Sequence, residues 1–369
     1  MLLLIPGPVT TDARVRAAAA RDYAPWDLGF RDILARVRRR ITAIAGGRDG
    51  EHSALPLAGS GHFALEAAVR TFVAPGGRLL VPNTGQYAER LMRLASEAGR
   101  QVVQMAVPTD TQVAPDALTA ALAADPAITH VGLVYSETAT GIVHDIPALA
   151  RAAGRVSRRV LIDAVSAFGA MPLDLHAMPM VDCVTLTANK CLEGLPGLSV
   201  SVARVDRLLE GAGRAGSWSL DLADLYAHTL RVGDGSHRFT PAAQAIAALD
   251  AALDLFDAEG GQPARLARYT ANMHVLHKGL TALGLQPCLP LRVQGPIVFN
   301  VHAPSLPGWD LQDFVDRLKA RGVLISNFYN TEQPSFRIGC IGAVTPADMT
   351  FAVGVMGDVL ISMGHRRAA

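Results

Sequence analysis

Between about residues 52 and 203, short runs of strand-forming residues alternate with stretches whose apolar positions recur at helical spacing. The pattern predicts strands at 53–57, 78–81, 102–106, 129–135, 160–163, 183–187 and 198–203. Between several of them it predicts helices, at 86–98, 115–124 and 146–153. Several of these strands are apolar throughout rather than alternating, as burial on two faces requires. The expected fold class is therefore α/β, a mostly parallel sheet with helices on both faces. After about residue 240 the pattern changes. Two long helical stretches, 241–258 and 263–283, lead to strands near 297–302 and 336–338 and helices at 310–320 and 346–363. This reads as a smaller α+β unit joined through long helices. Residues 1–20, with two prolines and a glycine near their start, read as an extended arm that packs on a neighbouring subunit. The expected organisation is an arm (1–20), a large domain (21–250) and a small C-terminal domain (251–369), with no internal repeat.

Composition narrows the function. The chain has 369 residues, and at ~150 residues per domain that length agrees with two domains. With 34 basic and 33 acidic side chains it is nearly neutral. Its densest basic run, Arg36-Val37-Arg38-Arg39-Arg40, falls in a helical pattern and reads as a solvated face, so no nucleic-acid partner is expected. The apolar run 2–5 is too short for a signal-peptide core, and no stretch reaches the ~20 apolar residues that spanning a membrane needs. The four cysteines are scattered without a CxxC pair, which suits free thiols in the cytoplasm and no metal site.

The residue pair that carries chemistry is Asp163 with Lys190. Asp163 closes the apolar strand Val160-Leu161-Ile162-Asp163, where an α/β fold presents groups to a ligand. Lys190 follows Thr185-Leu186-Thr187-Ala188-Asn189 and precedes Gly194, Pro196 and Gly197. Either residue alone reads as a surface lysine or a helix-capping aspartate. Together they suit pyridoxal 5′-phosphate (PLP), whose aldehyde forms a Schiff base with an amine and whose ring nitrogen needs a carboxylate to stay protonated. Gly59-Ser60-Gly61, between a strand and a helical run, exposes backbone N–H groups that cradle a phosphate, or is an ordinary βα turn. The strand-end run 135–141 offers hydroxyls, Thr138 among them, to the cofactor's ring oxygen or phosphate. Tyr87, after Asn83-Thr84-Gly85, either stacks on the ring or is a core aromatic. Arg337, in Phe336-Arg337-Ile338-Gly339, suits a fork for a carboxylate or phosphonate, or a structural ion pair.

These motifs resemble the class V aminotransferases over nearly the whole chain. The resemblance runs from Leu4-Ile5-Pro6-Gly7-Pro8 through Asp22-Tyr23-Ala24-Pro25-Trp26-Asp27 to Arg337-Ile338-Gly339. Its most specific parts are Ser-Glu-Thr-x-Thr-Gly (136–141), Asp-Ala-x-Ser-x-Phe-Gly (163–169) and Ala-Asn-Lys-Cys-x-x-Gly-x-Pro-Gly (188–197). The resemblance implies a fold type I, PLP-dependent homodimer with Lys190 on the cofactor and Asp163 at its ring nitrogen. It further implies Ser60, Gly61, His62 and Thr187 at the phosphate and Arg337 at the substrate's acid group. Thr240, in Arg238-Phe239-Thr240, would reach the phosphate of the neighbouring subunit's cofactor. Asn189, where alanine– and serine–glyoxylate members carry Gln, and the 22–27 motif point to members that use 2-aminoethylphosphonate and pyruvate. The alternatives are an alanine– or serine–glyoxylate activity, a lyase or transaminase acting on a substituted aminophosphonate, or a PLP-fold protein retained for binding. Two departures stand out. His62 replaces a common Thr, and 325–330 lacks the Gly and Lys of the usual Tyr-Pro-Gly-Lys-like run.

Overall fold

A computed structural model describes residues 1–327 and 333–365. The chain opens with strand β1 (Leu2–Leu3), helix α1 (Ala13–Ala19) and helix α2 (Leu28–Ile44). Strand and helix then alternate through β2 (His52–Ala58), α3 (Gly61–Phe72), β3 (Arg78–Asn83), α4 (Gln86–Glu97), β4 (Gln101–Ala106), α5 (Pro115–Ala124) and β5 (Ile128–Val134). A short hairpin, β6 (Ser136–Glu137) and β7 (Ile142–Val143), precedes α6 (Ile146–Arg155), β8 (Arg159–Asp163), β9 (Val181–Thr187) and β10 (Leu198–Arg204). Four helices follow: α7 (Val205–Glu210), α8 (Leu222–Val232), α9 (Ala243–Glu259) and α10 (Gly261–Ala282). The chain ends on β11 (Val298–His302), α11 (Leu311–Ala320), β12 (Val323–Leu324), β13 (Ser335–Gly339) and α12 (Pro346–Ser362).

Seven strands form the main sheet in the order β2-β10-β9-β8-β5-β3-β4. Only β10 runs against its neighbours, and the other pairings are parallel. All seven residues of β9 are buried, Asp182, Thr185 and Thr187 included. Alternate side chains feed two separate cores. Val160, Ile162, Val184 and Leu186 pack towards α2, α6 and α9 through Leu34, Leu149 and Leu249. Leu161 and Cys183 point the other way, onto α3, α4 and α8 through Val69, Leu91 and Leu225. Each fully buried aliphatic side chain contributes ~1.5–3 kcal/mol. This double layer fixes the strand ends rigidly.

A third core gathers Leu276, Phe299, Phe314, Phe336, Ile338 and Leu360 around the antiparallel pair β11–β13. On these cores we propose a large and a smaller C-terminal domain. The expected border at 250/251 falls inside the continuous helix α9, whose N-terminal half packs on the sheet.

The opening residues are not a free arm. Leu2 and Leu3 pair in parallel with Val323 and Leu324 of the same chain, and Leu4 is buried in the C-terminal core. Residues 13–19 are helical, capped by Asp12, whose carboxylate accepts the Arg14 N–H at 2.8 Å, and Val15 packs on Ala248 and Ala252 of α9. The basic run on α2 is not a solvated face either. Arg38 is buried and donates to the Ala54 and Asp234 carbonyls, and Arg36 and Arg40 pair with acidic residues of α9. Helical spacing had placed these residues correctly on one helix; their carboxylate partners lie some 210 residues further along the chain.

Candidate active site

The predicted site residues other than Thr240 and Arg337 gather at the carboxyl ends of the parallel strands, where an open α/β sheet leaves a crevice. Asp163 ends β8, is 6% exposed, and accepts the Val165 N–H at 2.9 Å. Burial raises its pKa; the Val165 N–H and Lys190 oppose that shift. Lys190 follows β9 and is partly buried, with Nζ 5.4 Å from the centre of the Tyr87 ring. The backbone at Gly7 passes so closely that a Cβ there would stand 2.9 Å from Lys190 Cγ, and its φ of +134° suits glycine alone.

Ser60 is the N-cap of α3, and its side chain makes no capping bond. A Cβ on Gly61 would lie 2.6 Å from Val165, so the first turn of α3 is held against the segment after Asp163. The N–H groups of that turn, at the positive end of a twelve-residue helix, are natural donors to an anion. His62 is exposed, and burial of its surroundings, then Arg90 and Lys190, lower its pKa. The Thr187 hydroxyl lies 2.7 Å from Asn189 Oδ1 and 3.0 Å from the Leu198 carbonyl, so its one proton is used within the loop.

Thr138 is fully buried. Its carbonyl accepts from Arg337 Nη1 at 2.9 Å, and Arg337 Nε donates to Ser326 Oγ at 3.2 Å. Burial lowers the Arg337 pKa, and the Tyr87 hydroxyl raises it. Burial would raise the Tyr87 phenol, yet Lys190, with Thr138 and Arg337, holds it below its ordinary value. Lys190, Tyr87 and Arg337 line one cavity of about 530 Å³, together with Arg90, Gly7 and Ser326. A small cleft of about 20 Å³ joins it through Tyr87 and Arg90 and reaches Gly61, His62 and Asp163. Thr240 is exposed and lines a different cavity of about 400 Å³, with Phe63 and Phe239. A larger cavity, about 1020 Å³, lies in the C-terminal part beside Trp309 and is lined by none of these residues. Of the departing segment 325–330, residues 328–330 lie outside the described residues.

Three functional groups escaped the sequence reading. Arg90 stands one turn after Tyr87 on α4, 4.7 Å above its ring, a neighbour that i, i+3 spacing would have found. Glu193 is buried three residues after Lys190. Glu137, inside the quoted 136–141 motif, is fully buried and accepts the Tyr87 and Ala139 N–H groups, each at 3.1 Å. It thereby ties the start of α4 to the loop carrying Thr138. Burial pushes its pKa up to about 7, with the two N–H groups opposing and Asp163 adding to the rise. A carboxyl whose folded pKa is raised stabilises the fold fully below its unfolded value of ~4.5 and loses that contribution as pH climbs to about 7. The unfolding free energy of cofactor-free protein, relative to Glu137→Gln, should therefore fall across that window. A difference independent of pH between 4.5 and 8 would refute it.

The residues fit PLP by their chemistry. An amine, a buried carboxylate, an aromatic face and a helix N-terminus meet a group that has an aldehyde, a basic ring nitrogen and a phosphate. Among the described residues, Ser136 Oγ is buried with no hydrogen-bond partner. An orphaned hydroxyl at this strand end is what a bound polar group would satisfy. Among the described residues, no three His, Cys, Asp or Glu side chains are grouped to hold a metal.

The model of the family "Aminotransferase class-V" matches residues 19–338. The chain belongs to this family and is a PLP-dependent aminotransferase of fold type I. It is 40% identical to the 2-aminoethylphosphonate–pyruvate transaminase of Burkholderia ambifaria (strain MC40-6), over 98% of this chain and 96% of that one. The like-named protein of Pseudomonas fluorescens (strain Pf0-1) is also 40% identical, over 98% and 97% of the two chains. Among solved structures, the subgroup IV aspartate aminotransferase of Thermus thermophilus superposes with a TM-score of 0.86 at 27% identity, covering 98% of this chain and 100% of that one.

Proposed function

We propose that this protein transfers the amino group of 2-aminoethylphosphonate to pyruvate, giving phosphonoacetaldehyde and L-alanine. One observation carries the reading: a single cavity has the Lys190 amine on one wall and the buried Arg337 guanidinium on another. That arrangement suits a short donor with an amine at one end and an acid at the other. Near-complete 40% identity to proteins named for this donor and acceptor supports it.

PLP, when bound, supplies an electrophilic carbon for the donor's amine and a ring that draws electron density from the adjacent carbon. Asp163 holds the proton on the ring nitrogen; its burial removes competing water, and its charge is what keeps that proton in place. Lys190 Nζ moves the proton off the donor carbon, from a position fixed by Gly7 behind it and Tyr87 beside it. The Ser60, Gly61 and His62 N–H groups would hold the phosphate, with Thr187 shaping the loop beside it. Thr138 would serve the ring oxygen. Arg337 orients the donor by its acid group and keeps its carbon within reach of Lys190.

The working unit we propose is a homodimer in the cytoplasm. Trp218 and Phe239 meet edge to face with ring centres 5.0 Å apart, and Trp26, Leu28, Trp218 and Leu230 are each at least 65% exposed. Such a patch needs a partner. Thr240 lies beside it, so the partner's phosphate site is the one it would complete. Mixing inactive Lys190→Ala and Thr240→Ala subunits should restore activity, and no recovery would separate Thr240 from the site.

The substrate reading is tested by a panel of donors against pyruvate. We expect 2-aminoethylphosphonate to surpass its hydroxylated analogue, β-alanine and L-alanine in kcat/KM. Arg337→Lys keeps the charge and loses the fork, so KM for the phosphonate should rise ~10–100-fold, the worth of one charged hydrogen bond, with PLP content unchanged. If L-alanine with glyoxylate outperforms every phosphonate, the substrate is wrong. Ammonia release without an acceptor would mark a lyase.

A further inference from the structure

Four charged side chains are packed together behind the loop that carries Lys190. Glu193, three residues on, is 6% exposed and adopts φ +58°, a left-handed conformation unusual for a residue with a side chain. Its N–H donates to the Lys190 carbonyl at 2.9 Å. Its carboxylate accepts from Arg268 Nη2 at 2.7 Å and the Tyr269 hydroxyl at 2.6 Å, and lies 3.4 Å from Arg265 Nη1. Arg265, 1% exposed, also donates to the Cys191 carbonyl at 2.6 Å. Both arginines share Glu259. The far side of the cluster grips the segment that follows β13, the strand of Arg337. Arg268 Nη1 donates to the Gly342 and Val344 carbonyls at 2.6 and 2.9 Å, and the Tyr269 hydroxyl accepts the Gly342 N–H at 3.2 Å.

Buried ion pairs are an expensive way to stabilise a fold, because desolvation consumes most of their attraction. Apolar packing would hold α10 against this loop as well. What the charges add is a defined register between two loops far apart in sequence. The strained backbone at Glu193, sustained by its surroundings, points the same way.

We infer that Glu193 is a positioning residue which, through Arg268 and Tyr269, locks the Lys190 loop to the segment that follows the strand of Arg337 and so sets the length of donor the cavity accepts. The inference rests on the proposed roles of Lys190 and Arg337. Glu193→Gln preserves shape and removes the charge. Cofactor-free Glu193→Gln should take up PLP roughly tenfold more slowly than wild type, within the range of coupling inside one network. Its preference for the best donor of the panel over that donor's one-carbon-longer homologue should shrink roughly tenfold, by loss of kcat more than rise of KM. Adding Arg268→Gln should then cost less than the same change does in the wild-type background, because the two side chains share one network. If Glu193→Gln does not fold, Arg268→Lys serves instead, as a lysine cannot bridge Glu193 to both Gly342 and Val344. Wild-type uptake of PLP, or an unchanged donor-length ratio, overturns the inference. The uptake rate involves no donor, so it tests the positioning role even if 2-aminoethylphosphonate proves not to be the substrate.

Discussion

Replacing Lys190 by alanine is expected to lower turnover by at least ~10³-fold, while the protein folds normally. General acid–base catalysis by a placed side chain is worth ~10²–10⁴-fold, and Lys190 is in addition the proposed covalent anchor of the cofactor. The residue is partly buried on a loop after β9, so removing its amine opens space in the 530 Å³ cavity and leaves the sheet core intact. PLP should still associate, held through the turn at Ser60 and Gly61, but should be lost on dialysis. Steady-state turnover with added PLP, alongside thermal unfolding, separates the two effects. Activity within tenfold of wild type would remove Lys190 from the mechanism.

The second large effect concerns Asp163. Asp163→Asn keeps the acceptor for the Val165 N–H, so the segment after β8 should remain in place. The amide carries no charge to hold a proton on the ring nitrogen. A charged hydrogen bond is worth ~1.5–3 kcal/mol, which converts to a loss of ~10–150-fold in kcat, with donor KM little changed. Burial alone raises the Asp163 pKa, and the ring-nitrogen cation it would pair with opposes that rise, so the loss of activity in the variant should persist across the neutral range and not appear only on the acid side. Measuring kcat against pH for both proteins tests this. Wild-type turnover in Asp163→Asn would contradict the role.

Much of the fold was legible because period and burial agree. The strand at 160–163 was readable from four residues, since Val160, Leu161 and Ile162 are buried on alternate faces and Asp163 ends the run. Asp163 and Lys190 could be singled out for the same reason: an ionisable side chain at the end of an apolar strand needs a partner. The reversed direction of β10 was not legible. Its sequence, Leu198–Arg204, is as apolar as its parallel neighbours, and only the short connection 188–197 after β9 hints at an antiparallel return. The opening residues misled for a related reason. Pro6, Gly7 and Pro8 lie in a bend, and it is Leu2–Leu4 before them that run against β12 and β13 of the same molecule, contacts more than 300 residues away. Arg38 and Glu193 were unreadable because the groups that neutralise or bind them come from distant segments. Charge patterns along a helix cannot reveal that. Thr240 lies apart from Lys190 within one chain, in a different cavity.

PLP is expected to be attached covalently to Lys190. Native enzyme should show a visible absorption band that disappears on borohydride reduction, and peptide mass mapping should then place one reduced cofactor on the Lys190 peptide. A label on Lys278 or Lys319, or no covalent label at all, would contradict it.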